Sequence, residues 1–182
     1  MHALAVEYPG YGLYKTSEPN EDQIKEDSLI VYDYLTKVVG LREKDIIIFG
    51  RSLGSGPSTY LAQKKSPYCL LLMSPFSSIQ NAAKSQLGWA SFLGNIVKQR
   101  FNNLKEVKNL KCPLLIVHGK QDKVVPHSHS EELFSACTSP CYLHMPYCMS
   151  HNHFLAEPDL ISPIKVFLNY LQKMEDLSFR EE

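Results

Sequence analysis

Short apolar stretches separated by helical segments constrain the fold of this chain most strongly. Residues 45–49, Cys69–Met73 and Leu114–Val117 are apolar almost throughout, and two further strands are predicted at residues 3–7 and 141–145. Apolar runs without polar alternation are typical of strands that are buried on both faces of a parallel sheet. Because helical patterns lie between the strands, we predict an α/β fold, a mostly parallel sheet covered by helices on both faces.

The helices are predicted from the spacing of their apolar side chains. Between residues 20 and 39 these side chains recur three, four and seven residues apart, and Gly40 ends the pattern. An irregular helical region around residues 79–104 is interpreted as a short cap-like insertion. The other predicted helices cover residues 57–65, 128–137 and 160–174.

Composition and charge exclude several classes of protein. A chain of 182 residues fits one domain, and its 19 Lys and Arg residues balance 19 Asp and Glu residues, which excludes a broad basic face for nucleic acid. No apolar run approaches the roughly 20 residues of a membrane span, and the first residues do not have the pattern of a signal peptide. The five cysteines include no CxxC pair, which favours reduced thiols in a cytoplasmic protein over a disulfide framework.

The sequence Gly50-Arg51-Ser52-Leu53-Gly54 matches the G-x-S-x-G pattern of a nucleophile elbow. It directly follows a predicted strand and precedes a predicted helix, and such a turn holds the serine in a strained position. Glycines at positions 50 and 54 are expected to remove side chains that would collide across the turn. Ser52 is therefore the candidate nucleophile, and the backbone N–H of Leu53 is the candidate oxyanion donor. The alternative is a structural turn in which Ser52 only caps a helix.

A serine nucleophile needs a histidine base and a carboxylate that orients the histidine. Asp122 lies just past the strand predicted at Leu114–Val117. In parallel sheets, functional residues commonly lie at this edge, at the carboxyl ends of the strands. Glu157 and Asp159 are alternatives, but they follow the candidate histidines and would break the order serine, acid, histidine that is typical of hydrolases with a nucleophile elbow. Asp122 also suits a turn, so a purely local role is the other interpretation.

Two of the seven histidines, His151 and His153, lie in the loop after the last predicted strand. The chemistry of the residues alone does not separate them. We prefer His151 as the base, because the residues after it then lead into the closing helix with Phe154 as an apolar contact. His118 is expected to brace the loop that carries Asp122.

Histidine pairs raise the question of a metal site. His127 and His129 form one H-x-H pair, and His151 and His153 form another. No cysteine or carboxylate spacing completes a coordination sphere around either pair. We therefore expect neither a metal ion nor another cofactor.

With these residues placed, the chain resembles the α/β-hydrolase superfamily. It is most similar to the small serine hydrolases that include the protein depalmitoylases among the α/β-hydrolase domain proteins. The likeness implies a triad of Ser52, Asp122 and His151. Relatives usually have Gly before the catalytic histidine and often Asp two positions after it, where this chain has Ser150 and His153. The resemblance rests on residues 7–12 (EYPGYG), 49–56 (FGRSLGSG), 117–126 (VHGKQDKVVP) and 150–152 (SHN).

The same resemblance implies a partial fold. Residues 3–7 match strand four of the superfamily, so strands one to three are expected to be absent from a single, N-terminally truncated domain over residues 1–182. Strand three normally lies between strands four and five, and the loop after it carries a His-Gly oxyanion motif. Loss of one oxyanion donor costs on the order of 10²–10³ in turnover. The alternative is a rearranged sheet in which residues 3–7 pair directly with residues 45–49.

The sequence thus predicts a serine hydrolase that cleaves an ester or thioester through an acyl-enzyme on Ser52. Two alternatives are a catalytically impaired binding protein without the oxyanion loop and a serine peptidase with the same triad. The candidate residues of an apolar substrate pocket, each equally suited to core packing, are Tyr11, Phe76, Trp89 and Phe154.

The expected partners follow from this reaction. The substrate is expected to be a small acyl ester or an acylated protein, and nucleic acid is not expected. A membrane surface is a further expected partner, reached through the missing N-terminal segment. The expected location is cytoplasmic, and peripheral to a membrane if that segment is an anchor.

Overall fold

Four parallel strands, β1 (Ile47–Arg51), β2 (Cys69–Met73), β3 (Leu114–Val117) and β4 (Cys141–His144), form one sheet in that order. The computed structural model describes residues 2–15, 18–87 and 100–178. The helices are α1 (Glu21–Asp33), α2 (Ser55–Lys64), α3 (Ile79–Leu87), α4 (Asn103–Glu106), α5 (Ser128–Ala136) and α6 (Ser162–Ser178).

Alternate residues of the strands build two separate apolar clusters, one on each face of the sheet. The face that carries Leu70 packs with Ala62 of α2 and Leu133 of α5, which are both fully buried. The opposite face carries Leu71 and packs with Phe167 of α6. Burial on both faces explains why the strands are apolar throughout. The predicted α/β fold, a parallel sheet flanked by helices, is confirmed.

Parallel pairing brings the carboxyl ends of the strands together. Arg51 pairs with Met73, Met73 with Val117, and Val117 with His144. The segments that follow β1, β3 and β4 therefore start at the same edge of the sheet. Residues far apart in the chain can meet there.

The prediction of a strand over residues 3–7 is wrong. Among the described residues, only β1 to β4 pair as strands, and Leu4 and Val6 are 64% and 41% exposed. The rearranged sheet is not observed either, because β2 is the only described strand that pairs with β1. An apolar segment without a neighbouring strand forms no ladder of hydrogen bonds, so its composition alone does not make it a strand.

The first predicted helix is present over nearly its whole length, but it changes type before its end. Its α-helical part begins after Asn20, whose side chain accepts hydrogen bonds from two N–H groups of the first turn, and ends at Asp33. A π-helical turn, Tyr34–Val38, follows it. There the hydroxyl of Thr36 donates to the carbonyl of Tyr32 at 3.1 Å. A hydroxyl bond of this kind competes with the backbone hydrogen bonds of the helix.

The helical region predicted around residues 79–104 is described at its two ends. α3 covers its beginning and α4 covers its end, whereas residues 88–99, and Trp89 with them, lie outside the described residues. The N–H of Ile79 donates to the carbonyl of Arg100 at 3.1 Å. The N–H of Leu104 donates to the carbonyl of Ser77 at 3.0 Å. The two ends are therefore fixed beside each other.

A buried histidine joins α3 to α5. His129 is 3% exposed, and its Nδ1 and Nε2 lie 2.9 Å and 3.0 Å from the hydroxyls of Ser77 and Ser85. The backbone N–H of Ser77 donates to Nδ1 at 3.4 Å, and the Ser85 hydroxyl donates to the carbonyl of Asn81 at 3.0 Å, so Nδ1 accepts and Nε2 carries the ring proton. The ring is then neutral and donates through Nε2. Burial lowers the pKa of His129, and nearby His118 lowers it further while Glu132 opposes the shift.

We predict that this histidine makes the protein less stable in mild acid. Because its pKa is lowered in the folded state, its contribution is complete above the ordinary pKa of about 6.5 and decreases as the pH falls below that value. In urea unfolding at several pH values between about 7.5 and 5.5, the variant His129→Gln is expected to show a shallower loss of stability than the wild type. Equal pH dependence in the two proteins contradicts the prediction.

Candidate active site

The elbow after β1 holds Ser52 in a left-handed conformation, with φ of 50°. A 3₁₀ turn, Ser52–Gly54, follows and leads into α2. A Cβ on Gly50 would lie 2.7 Å from the carbonyl oxygen of Gly54, so a side chain is excluded there. A Cβ on Gly54 would only touch the Tyr8 hydroxyl at 3.4 Å. The predicted steric need for glycine therefore applies to position 50 and not to position 54.

Polar contacts behind the elbow fix its backbone. Ser55 Oγ donates to the carbonyl of Ser52 at 2.7 Å, and Asn103 Nδ2 donates to Ser55 Oγ at 3.2 Å. Asn103 is fully buried and also donates to the carbonyl of Phe76 at 2.9 Å. Asn103 of α4 therefore stabilises the turn that contains Ser52.

The structure brings Ser52, His151 and Asp122 into one chain of hydrogen bonds. His151 Nε2 lies 3.0 Å from Ser52 Oγ, and His151 Nδ1 lies 2.7 Å from Asp122 Oδ2. A carboxylate only accepts hydrogen bonds, so Nδ1 carries the proton and Nε2 is free to accept from the serine hydroxyl. His151 is 8% exposed and Asp122 is 6% exposed. This arrangement is able to transfer a proton from serine to histidine.

Asp122 is ionised by the contacts around it. Its Oδ1 accepts the N–H groups of Val124 and Val125 at 2.9 Å and 2.8 Å. Burial alone raises the pKa of Asp122, but hydrogen bonds from His118, from the Val125 N–H and from His151 outweigh it and hold the pKa well below its usual range. At neutral pH the carboxylate is therefore negative and stabilises a positive charge on His151.

His118 supports the loop that carries this carboxylate. The ring is fully buried, with Nδ1 2.6 Å from Ser130 Oγ and Nε2 2.8 Å from the carbonyl of Val125. Its Nε2 also lies 3.3 Å from Asp122 Oδ2. His118 thus contacts both ends of the loop, as expected from its place at the end of a buried strand.

The loop of the acid and the loop of the base lie against each other. The N–H of Gln121 donates to the carbonyl of Met149 at 3.0 Å, and the N–H of Lys120 donates to the carbonyl of Pro146 at 3.0 Å. A Cβ on Gly119 would lie 2.1 Å from the Met149 carbonyl oxygen. Only glycine fits this approach, and sequence reasoning missed it because the contact joins segments 30 residues apart in the chain.

The other candidates for acid and base lie elsewhere. His153 is exposed, and its backbone N–H donates to Ser150 Oγ at 3.2 Å. Glu157 contacts Lys165 at 3.0 Å, and Asp159 accepts the N–H of Leu155 at 2.7 Å. Of the alternatives, the structure therefore places only His151 and Asp122 beside Ser52.

The candidate pocket residues differ in their surroundings. Phe76 is 3% exposed and packs in an apolar cluster with Phe101 and Val125, so it contributes to the core. Tyr11 and Phe154 are 48% and 38% exposed. Trp89 lies outside the described residues.

A cleft of about 410 Å³ lies beside the base. The residues that line it, of which all but Val124 have polar side chains, are Gln121, Lys123, Val124, Ser150, His151, Asn152 and His153. Among the described residues, no three His, Cys, Asp or Glu side chains are grouped so that they would hold a metal ion. None of the helices in the described ranges combines the length and apolar character that crossing a bilayer requires.

Comparison with known proteins assigns the family. The sequence pattern of the prolyl oligopeptidase family matches residues 14–173. The chain belongs to the prolyl oligopeptidase family. This family of hydrolases, together with the α/β-hydrolase domain proteins described next, confirms the predicted resemblance to α/β hydrolases.

Several curated relatives are similar over about three quarters of this chain. The α/β-hydrolase domain-containing protein aho-3 of Caenorhabditis elegans is 28% identical over 75% of this chain and 39% of its own length. The lysophosphatidylserine lipase ABHD12 of Macaca fascicularis is 32% identical over 74% of this chain and 37% of its own. Human α/β-hydrolase domain-containing protein 17B is 29% identical over 75% of this chain and 46% of its own length. The chain thus spans less than half the length of these relatives.

Solved structures share the fold at low sequence identity. An esterase domain from Rhodothermus marinus has a TM-score of 0.61 and 14% identity, covering 81% of this chain and 68% of that one. The acylaminoacyl peptidase of Pyrococcus horikoshii has a TM-score of 0.63 and 15% identity, covering 82% and 27%. At such identities the likeness concerns the fold alone.

We predict that Gly119→Ala destabilises this member of the prolyl oligopeptidase family. The new methyl group meets backbone at Met149, which cannot rotate away, so the free energy of unfolding is expected to fall by about 1–3 kcal/mol. Gly54→Ala is the matched control, because its methyl group only touches the Tyr8 hydroxyl, and a smaller change is expected. Urea unfolding of both variants tests the prediction, and equal losses contradict it.

Proposed function

We propose that the protein is a serine hydrolase that cleaves a carboxylic ester or thioester through an acyl-enzyme on Ser52. The observation that carries this proposal is the position of His151, whose two ring nitrogens contact Ser52 Oγ at 3.0 Å and Asp122 Oδ2 at 2.7 Å. The φ of 50° at Ser52 adds to the argument, since strained backbone is concentrated at functional sites.

In the proposed reaction, Ser52 Oγ attacks the substrate carbonyl carbon while His151 Nε2 takes the hydroxyl proton. Ionised Asp122 stabilises the imidazolium through the Nδ1–H bond. The tetrahedral intermediate then breaks its bond to the alcohol or thiol, which receives the proton from His151. Water attacks the acyl-enzyme in the same way, releases the carboxylic acid and restores Ser52.

The proposed oxyanion donor is the backbone N–H of Leu53. It belongs to the first turn of the helical segment after Ser52, where peptide N–H groups have no partner within the helix. The positive end of the helix dipole also favours an anion at this place. A donor of this kind is worth about 10²–10³ in turnover.

A serine peptidase with the same three residues is the second candidate. The family of the chain favours it. Comparing turnover of a p-nitrophenyl ester with turnover of a matched acyl-peptide p-nitroanilide distinguishes the esterase from the peptidase. A higher kcat/KM for the ester supports the esterase, and the reverse supports the peptidase. A reactive Ser52 without turnover of either supports the catalytically impaired binding protein.

The class of acyl substrate and the place of action are also proposals. We propose a small acyl ester or an acylated protein as substrate, and hydrolysis of an acyl-cysteine peptide against a simple ester distinguishes them. We further propose a cytoplasmic location, because an odd number of cysteines with no CxxC pair suits a protein whose thiols stay reduced. Contact with a membrane surface is tested by sedimentation with anionic vesicles.

We predict that Ser52→Ala abolishes labelling by a fluorophosphonate probe, because the probe reacts only with an activated serine hydroxyl. Ser85→Ala is the matched control. Ser85 Oγ also lies 3.0 Å from a histidine nitrogen, but the other nitrogen of that ring contacts Ser77 instead of a carboxylate. In-gel fluorescence is expected to show full labelling of the control. Labelling of the Ser52→Ala protein at the wild-type rate removes Ser52 from the role.

A further inference from the structure

Arg51 reaches across the sheet edge to the loop that carries the base. It is the last residue of β1, directly before Ser52. Its Nη2 donates to the carbonyl oxygen of His151 at 2.6 Å and to Asn152 Oδ1 at 2.9 Å. One strand end therefore holds the serine through the backbone and the histidine through a side chain.

The surroundings of Arg51 indicate that these two bonds determine its position. Both acceptors are neutral, and none of the ion pairs among the described residues includes Arg51. Its Nε is buried without a hydrogen-bond partner. Leaving a charged group partly buried and incompletely bonded is unfavourable. An ion pair therefore does not explain the position of the Arg51 side chain.

The contact acts on the distance that the chemistry needs. The carbonyl that Arg51 binds belongs to His151 itself, so a shift of this carbonyl moves the whole residue. Asp122 binds the ring at Nδ1, and Arg51 binds the backbone carbonyl of the same residue. His151 is therefore held at its side chain and at its backbone, with Nε2 facing Ser52 Oγ.

We infer that Arg51 is a positioning residue, which sets the separation of Ser52 Oγ and His151 Nε2 by binding the backbone of the base. The inference rests on the proposed function, since it concerns the same reaction. A displacement of about 1 Å in a reacting pair can cost on the order of 10²-fold in rate. Arginine suits this task because its rigid, planar guanidinium loses little freedom for each bond that it forms.

The test compares Arg51→Met, Arg51→Lys and Arg42→Met in ester turnover and in fluorophosphonate labelling. Methionine keeps much of the apolar stem and removes the donors. We expect kcat and the labelling rate to fall by about 10- to 100-fold in Arg51→Met, with KM nearly unchanged, because the acylating pair is misplaced while substrate binding is not. Lysine is expected to restore part of the loss. Arg42, whose guanidinium pairs with Asp45 on the surface, is the matched control and is expected to behave as wild type.

A spectroscopic signal separates positioning from general stability. The proton between His151 Nδ1 and Asp122 is expected to give a far-downfield NMR resonance in the wild type. It should broaden or disappear in Arg51→Met while urea unfolding changes little. Wild-type labelling together with an unchanged resonance overturns the inference.

Two variants decide the remaining outcomes. If Arg51→Met does not fold, Arg51→Lys decides, because lysine keeps the charge and the stem but lacks the planar guanidinium that binds the His151 carbonyl and Asn152 together; it should label several-fold more slowly than the wild type, and an unchanged rate contradicts the inference. Ser52→Ala shows which proposal has failed. If labelling depends on Ser52 but not on Arg51, the proposed function stands and the positioning role does not. If labelling does not depend on Ser52, the proposed function itself is wrong.

Discussion

The buried hydrogen bond between His151 and Asp122 is the interaction on which the site depends. It fixes the tautomer of the ring, so that the nitrogen facing Ser52 accepts a proton rather than donating one. It also places a negative charge where a positive one would develop. The bonds from the Val124 and Val125 N–H groups and from His118 keep that charge stable in a buried position.

The parallel sheet makes this meeting of distant residues feasible. All strand ends with the same polarity lie at one edge, so residues 52, 122 and 151 are close in space although up to 99 positions separate them. Three local features then refine the geometry: glycine at position 50 permits the elbow, glycine at position 119 permits the close approach of two loops, and Arg51 ties the base to β1. The same edge thus carries the left-handed backbone at Ser52 and the buried carboxylate of Asp122.

Much of this arrangement could be predicted from the sequence because it depends on local patterns. The apolar runs predicted the strands β1 to β4, and the chain order of serine, acid and histidine selected the residues that the structure brings together. The strand expected at residues 3–7 failed, because strand formation depends on a neighbour as well as on composition. The roles of Gly119 and Arg51 depend on contacts between distant segments, which no local pattern reveals. His151 and His153 have the same side chain and differ only in the direction that the loop gives it. Their chemistry alone therefore could not show which of them is the base.

The central claim is that Ser52 carries the acyl group during turnover. Mass spectrometry of the protein, mixed with an activated ester and quenched in acid before the acyl-enzyme is hydrolysed, tests it most directly. We expect one added acyl mass, located by peptide mapping on the segment that contains Ser52. Turnover of the ester without an acylated Ser52, or with the acyl group on another serine or on a cysteine, would contradict it.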